Sequence, residues 1–153
     1  MSPDKLPEIA AQVAALLFAV SFHESAHAWV ALRCGDTTAR DLGRITLNPL
    51  KHMDPIGSFF VPAMLAFVGA PIIGWAKPVP ISLRGVPKPR RANLLISAAG
   101  PASNLVLAVL FAIVVLAIHP FVPAGSKTSP QYAIFVVALY SVLVNVALAL
   151  FNL

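Results

Sequence analysis

Four apolar stretches divide the chain: Ile9–Leu32, Gly57–Trp75, Ala92–Ile118 and Tyr132–Leu153. A helix rises about 1.5 Å per residue, so the first, third and fourth can each cross the roughly 30 Å hydrocarbon core of a bilayer. The second differs. Gly57, Pro62, Gly69, Pro71 and Gly74 punctuate it and Trp75 closes it, a density of breakers that predicts a bent or re-entrant hairpin rather than a straight span. Ahead of it, LGRITLNP offers a short strand at Arg44–Leu47, ended by Asn48-Pro49. Behind it, AKPVPIS is kept extended by its prolines, which suit a sheet edge. PKPRR reads as a solvated basic turn, and Pro120–Pro130 as a loop with His119 at its border. The pattern predicts an all-α polytopic membrane protein with three spanning helices, a broken re-entrant hairpin and short β segments on one side. With no internal repeat or low-complexity tract, residues 1–153 form a single membrane-embedded unit.

Composition agrees. Of 153 residues, 58% are hydrophobic and 11% charged, with a mean hydropathy of +0.82; soluble domains carry about 25% charge. The net charge of +5 is informative by position. If all four stretches cross, Lys and Arg divide six to five between the two sides. If the second returns, Arg33, Arg40, Arg44, Lys51, Lys77, Arg84, Lys88, Arg90 and Arg91 share one side, opposite Lys5 and Lys127. Nine against two is the bias of a cytoplasmic face. Basic and aromatic residues do not interleave, so no nucleic-acid partner is indicated. The lone Cys34 excludes an internal disulfide and, following Arg33, does not suit a lipoprotein cleavage site. The N-terminal apolar run exceeds an ordinary signal-peptide core.

Against this background SFHESAHAW, Ser21–Trp29, is conspicuous. Residues four apart on a helix share a face, about 6 Å apart in rise. His23 and His27 can therefore aim two imidazoles at one ion, with Glu24 placed to reach a water bound to it. That is the HExxH arrangement, two zinc ligands and a general base. Zinc would lower the water's pKa toward about 7, and Glu24 would pass its proton to the leaving amine. The simpler alternative is that membrane histidines only bond between helices. Ionisable groups inside a bilayer are costly and seldom idle, which favours the metal reading.

FHESAHAW, LGRITLNPLKHMDPIGS, GWAKPVPIS and AAGPASNL together closely resemble the site-2 proteases, intramembrane zinc metalloproteases that cut transmembrane segments of other proteins. The resemblance runs from about Val20 to the last residue and is nearest to the compact prokaryotic branch without a PDZ domain. It implies His23 and His27 as Zn2+ ligands and Glu24 as catalytic acid/base. It matches Asn104 to the family's GPxxN motif beside the site. FNL matches the start of a motif on the last span, by which Asn152 would help hold the oxyanion or substrate carbonyl. In the family an Asp, the third zinc ligand, follows that Asn. The chain ends at Leu153 before it, so the expectation is a protease core that is C-terminally incomplete. Asp36, Asp41, Asp54 and His52 are weak substitutes, and HMDP reads more simply as a polar turn.

The three-span topology brings His23, His27, Asn104 and Asn152 into the same half of the bilayer, toward the cytoplasm of a prokaryotic cell membrane. Asn93, Ser97, Gly100 and Asn104 fall on one helical stripe, and Ser141, Asn145 and Asn152 on another. Ser97, Gly100, Ser141 and Asn145 read as interhelical contacts; the motif match sets Asn104 and Asn152 apart. A substrate helix must unwind before hydrolysis, and either AKPVPIS or Arg44–Leu47 could hold it by β-augmentation or be plain loop. The expected partners are transmembrane protein substrates and membrane lipid. The rival functions are a non-catalytic membrane metal-binding or scaffold protein and, less well supported, a haem protein, since both histidines lie on one helix face.

Overall fold

The computed structural model describes residues 6–69, 75–125 and 127–152. Pro71 and Gly74 of the expected hairpin, Lys5 and Leu153 lie outside them. Three long helices dominate: α1 (Leu6–Arg33), α4 (Pro89–Ile118) and α5 (Pro130–Phe151). All three are long and apolar enough to cross a membrane. Between α1 and α4 lie a short α2 (Thr38–Asp41), a 3-10 turn (Pro49–Lys51), a wide π turn (Pro55–Phe60) and α3 (Val61–Phe67).

Small residues every third or fourth position let the long helices approach closely. On α1 the seam is Ala11, Ala15, Ala19, His23 and Ala31. On α4 it is Ala92, Ile96, Gly100, Asn104 and Ala108; on α5, Ala138, Ser141, Asn145 and Ala149. The outer faces carry large exposed side chains such as Leu94, Leu116 and Leu150. Water would oppose that exposure and lipid accommodates it.

Two contacts fix the directions of the helices. Ala31 near the end of α1 packs with Val86, Ala92 and Ile96 around the start of α4. Tyr132 at the start of α5 reaches Glu8 at the start of α1, with its hydroxyl 3.5 Å from Oε1. Thus α1 ends, α4 begins and α5 ends at one end of the bundle, and the segment joining α1 to α4 leaves and re-enters there.

Within that segment the sequence's Asx-Pro pairs act as helix starts. Asn48 Oδ1 accepts from Leu50 N–H at 3.0 Å, and Asp54 Oδ1 from Ile56 and Gly57 N–H at 3.0 and 2.7 Å. The α3 helix has seven residues, far short of the roughly 20 a span needs. Met53 and Ala76 form a single antiparallel bridge, and Trp75 N–H donates to Gly57 O at 3.1 Å. Gly57 has no alternative here, because a Cβ would collide with the Trp75 indole.

The expected β segments do not form: no strand occurs among the described residues. Arg44–Leu47 follows a turn in which Gly43 takes φ +64°, and the Arg44 amide bonds back to Ala39 O. AKPVPIS is extended, but Pro78 and Pro80 lack the donors of a ladder.

Candidate metal centre

His23 and His27 project from α1 against α4, with Nε2 atoms 3.0 Å apart. Their rings meet edge to face, centroids 4.6 Å apart. His23 is buried and His27 partly so. Gly100 of α4 lies directly opposite, where a Cβ would strike both imidazoles. The space the rings share exists because that residue has no side chain.

The protonation of each ring follows from its neighbours. Asn145 Nδ2 donates to Ser141 O at 2.8 Å, so Asn145 Oδ1 faces Asn104. Asn104 Nδ2 donates to that oxygen at 2.6 Å and lies 3.5 Å from Ala19 O, so Asn104 Oδ1 faces His23. His23 Nδ1–H accordingly donates to Asn104 Oδ1. His27 Nδ1–H donates to Ile96 O at 2.6 Å. Each ring thus leaves Nε2 as the nitrogen without an oxygen partner, and the two Nε2 atoms face each other at 3.0 Å. Two lone pairs there would repel, so the contact calls for either a proton shared as a hydrogen bond or a metal ion bound to both. Nδ1–H bonded to a carbonyl with Nε2 left free is the pattern of metal-ligating histidine. The donor set suits zinc, which takes imidazole nitrogens readily.

It is not a complete shell. No group of three or more His, Cys, Asp or Glu side chains capable of holding a metal occurs among the described residues. The other candidate donors bond to neither His23 nor His27, and only His52 Nδ1 among their buried atoms has no partner of its own. His52 is buried, its Nε2–H donating to Thr46 O at 2.7 Å. Asp54 caps the π turn, and Asp41 pairs with Arg40 at 2.8 Å on the surface. Asp36, buried beyond the end of α1, accepts from Thr38 and Ser82 N–H at 2.9 and 2.6 Å. Burial alone would raise its pKa, but the bonds from Thr38 and Ser82 outweigh it and hold the carboxyl below its ordinary value.

Glu24 bonds to neither imidazole; its Oε2 accepts from Val79 N–H at 3.0 Å. Asn104 is fully buried with both ends of its amide occupied, so it touches His23 rather than open space. Asn152 ends α5 exposed, its Nδ2 donating to Leu148 O at 2.7 Å, and bonds to none of the other site residues. Of the two polar stripes, Asn93 and Ser97 are exposed, with no side-chain hydrogen bond among the described residues. Asn145 does bond between helices, and Ser141 Oγ bonds to Val137 O of its own helix at 2.8 Å. Sequence reasoning treated Gly100 and Asn145 as helix glue. Asn145 is such a contact, through Asn104, whereas Gly100 lies against both imidazoles, and its place one turn before Asn104 on the same stripe was the available signal. The bond between Val79 and Glu24, 55 residues apart, had no local signature.

A bundle of three candidate spans with a facing pair of histidines defines a candidate metal centre in an integral membrane protein. Its class is narrowed by comparison with known proteins. The family model described as peptidase family M50 matches residues 11–153, and the chain belongs to that family, the site-2 protease family of metalloproteases. It is 38% identical over 143 residues to "Putative zinc metalloprotease YwhC" of Bacillus subtilis (strain 168), covering 92% of this chain and 61% of that protein. It is 38% identical over 98 residues to "Putative zinc metalloprotease Rip2" of Mycolicibacterium smegmatis, covering 64% of this chain and 37% of that protein. The chain therefore spans less than two thirds of the length of either relative. No solved structure matches it significantly.

Proposed function

We propose that the chain forms the membrane core of an intramembrane zinc metalloendopeptidase, which hydrolyses peptide bonds within or near transmembrane segments of other membrane proteins. The observation that carries this reading is the pair of facing Nε2 atoms, each ring's Nδ1–H committed to an oxygen and Gly100 leaving the space open. In this reading His23 and His27 hold the zinc, and the third ligand is the Asp that the family places after the residue matched by Asn152. Bound zinc would polarise a water and lower its pKa toward about 7.

The chain's own residues do the rest. Glu24, beside His23 and steadied by Val79 N–H, takes the proton of the attacking water and returns it to the leaving amine nitrogen. Asn104 is a positioning residue that keeps His23 in its ligating tautomer. Asn152, at the same end of the bundle, helps hold the substrate carbonyl. The nine basic residues from Arg33 to Arg91 favour a cytoplasmic position for that end, from which water would reach the site. The pairing of Trp75–Lys77 with His52–Gly57 supports a hairpin that dips into the membrane from the same side.

The test uses the full-length protein in detergent with quenched-fluorescent single-span Leu/Ala-rich peptides. Glu24→Gln should lower turnover by roughly 10²–10⁴-fold, the scale of general acid–base catalysis, while bound zinc, measured by mass spectrometry, stays at the wild-type level. Undiminished turnover would refute the mechanism. Zinc bound stoichiometrically by a wild type that cleaves no peptide would favour a non-catalytic metal-binding protein.

A further inference from the structure

We infer that Lys77–Ser82 is a strap that positions Glu24, anchored by Arg44 at one end and Asp36 at the other, and not an edge that receives substrate. The role given to Glu24 rests on the proposed function; the strap itself rests on the hydrogen bonds alone.

Nearly all the backbone donors of the segment, and two of its carbonyls, are already committed. Pro78 and Pro80 have no N–H. Lys77 N–H donates to His52 O at 2.8 Å, Val79 N–H to Glu24 Oε2 at 3.0 Å and Ser82 N–H to Asp36 Oδ2 at 2.6 Å. Among residues 77–82 only the Ile81 N–H makes no bond within the described residues. The carbonyls of Lys77 and Pro78 accept from Arg44 Nη2 at 2.6 and 3.1 Å. A strand that captures an extended peptide needs alternating free donors and acceptors along one edge, and this one offers, among the described residues, a single free donor, the Ile81 N–H, beside the unbonded carbonyls of residues 79–82.

Arg44 makes the arrangement specific. It is 7% exposed, and among the described residues no carboxylate lies within ion-pair distance of it. A guanidinium so placed is unfavourable unless its donors are satisfied. Carbonyls satisfy the two Nη groups, those of Lys77 and Pro78 on the strap and that of Lys51 on the opposing loop, while Nε has no partner among the described residues. A planar fork gripping successive carbonyls fixes the rotation of their peptide planes, and hence the direction of the Val79 N–H. Val79 is pinned a second way, its side chain buried with Ala28 and Ala39. Ala28 lies one turn beyond Glu24 on α1, so one residue packs on the helix and also orients the carboxylate beside it. Asp36, a carboxylate at neutral pH, tethers the far end through the Ser82 N–H.

Two readouts on the full-length protein decide the matter. Hydrogen exchange by mass spectrometry should show the amides of 77–82 exchanging faster in Arg44→Gln and in Asp36→Asn than in wild type. With the quenched Leu/Ala-rich peptides, Arg44→Gln should lower kcat by roughly 10–100-fold, the scale of a small misplacement of a reacting group, with KM and zinc content unchanged. Arg44→Lys should recover part of that loss. Unchanged exchange in both variants would overturn the strap. A raised KM with kcat preserved would overturn it in favour of a substrate edge. If Arg44→Gln does not fold, Asp36→Asn carries both arms from the other anchor. A wild type that cleaves no peptide removes the proposed protease function, while the exchange arm still decides the strap.

Discussion

Replacing Gly100 with Ala adds one methyl group where the His23 and His27 rings pass α4. The new Cβ would stand under 3.0 Å from atoms of both imidazoles. Carbon contacts are comfortable at about 3.5–4.0 Å, so rings or helix must yield by on the order of 1 Å. The rings are poorly able to yield, because each Nδ1–H is tied to an acceptor, His23 to Asn104 and His27 to Ile96. Overpacking of this kind costs about 1–3 kcal/mol, which corresponds to a loss of roughly 5–150-fold in zinc affinity if the strain falls on the paired geometry. Titration of zinc against a competing chelator in detergent would measure it, with Leu94→Ala on the exposed face of α4 as a control. The opposite outcome has its own physical basis. Ala is the better helix former by about 0.8–1 kcal/mol, so a Gly100 that merely filled a gap would give a more stable protein with unaltered zinc binding. That result would refute the geometry described here.

Other expectations concern the residues that hold the site. Asn104→Ala removes the acceptor of His23 Nδ1–H and the donor to Asn145. It should cost about 1–3 kcal/mol in stability and weaken zinc by roughly 10–100-fold, measured by thermal unfolding and chelator competition. Asn145→Ala leaves Asn104 Nδ2 with only its long contact to Ala19 O and should give a smaller effect of the same sign. Asp36 has a folded pKa depressed below its ordinary value of 3.8. Its stabilising contribution is therefore fully present above that value and is lost as pH falls through the folded pKa. Acid unfolding of the wild type should show that loss in the acid range, and Asp36→Asn should flatten it; an identical pH profile for the two would contradict the hydrogen bonds assigned to Asp36.

Much of this architecture was legible in the chain. Three apolar runs gave three helices whose ends lie within three residues of the expected ones wherever both ends are described. A helix in lipid bonds its backbone to itself, so length and hydropathy suffice to define it. The spacing of His23 and His27 fixed a shared face for the same reason, since four residues are about one turn. The two Asx-Pro pairs likewise became caps through bonds spanning two or three residues.

The rest depended on partners far apart in sequence. Asn104 Oδ1 meets His23 across 81 residues, Val79 meets Glu24 across 55 and Arg44 meets Lys77 across 33. None of these bonds leaves a periodic trace. The extended segment near Lys77 shows the difference: its prolines foretold an extended chain, but whether its polar groups would face a second strand or two side chains depended on where α1 and α2 came to rest. By itself the sequence determined which segments are helical and that two imidazoles share a face. Tertiary structure decided which nitrogen of each imidazole is free, why Gly100 stands opposite them and what steadies Glu24, because hydrogen bonds between separate elements are chosen by packing rather than by local order.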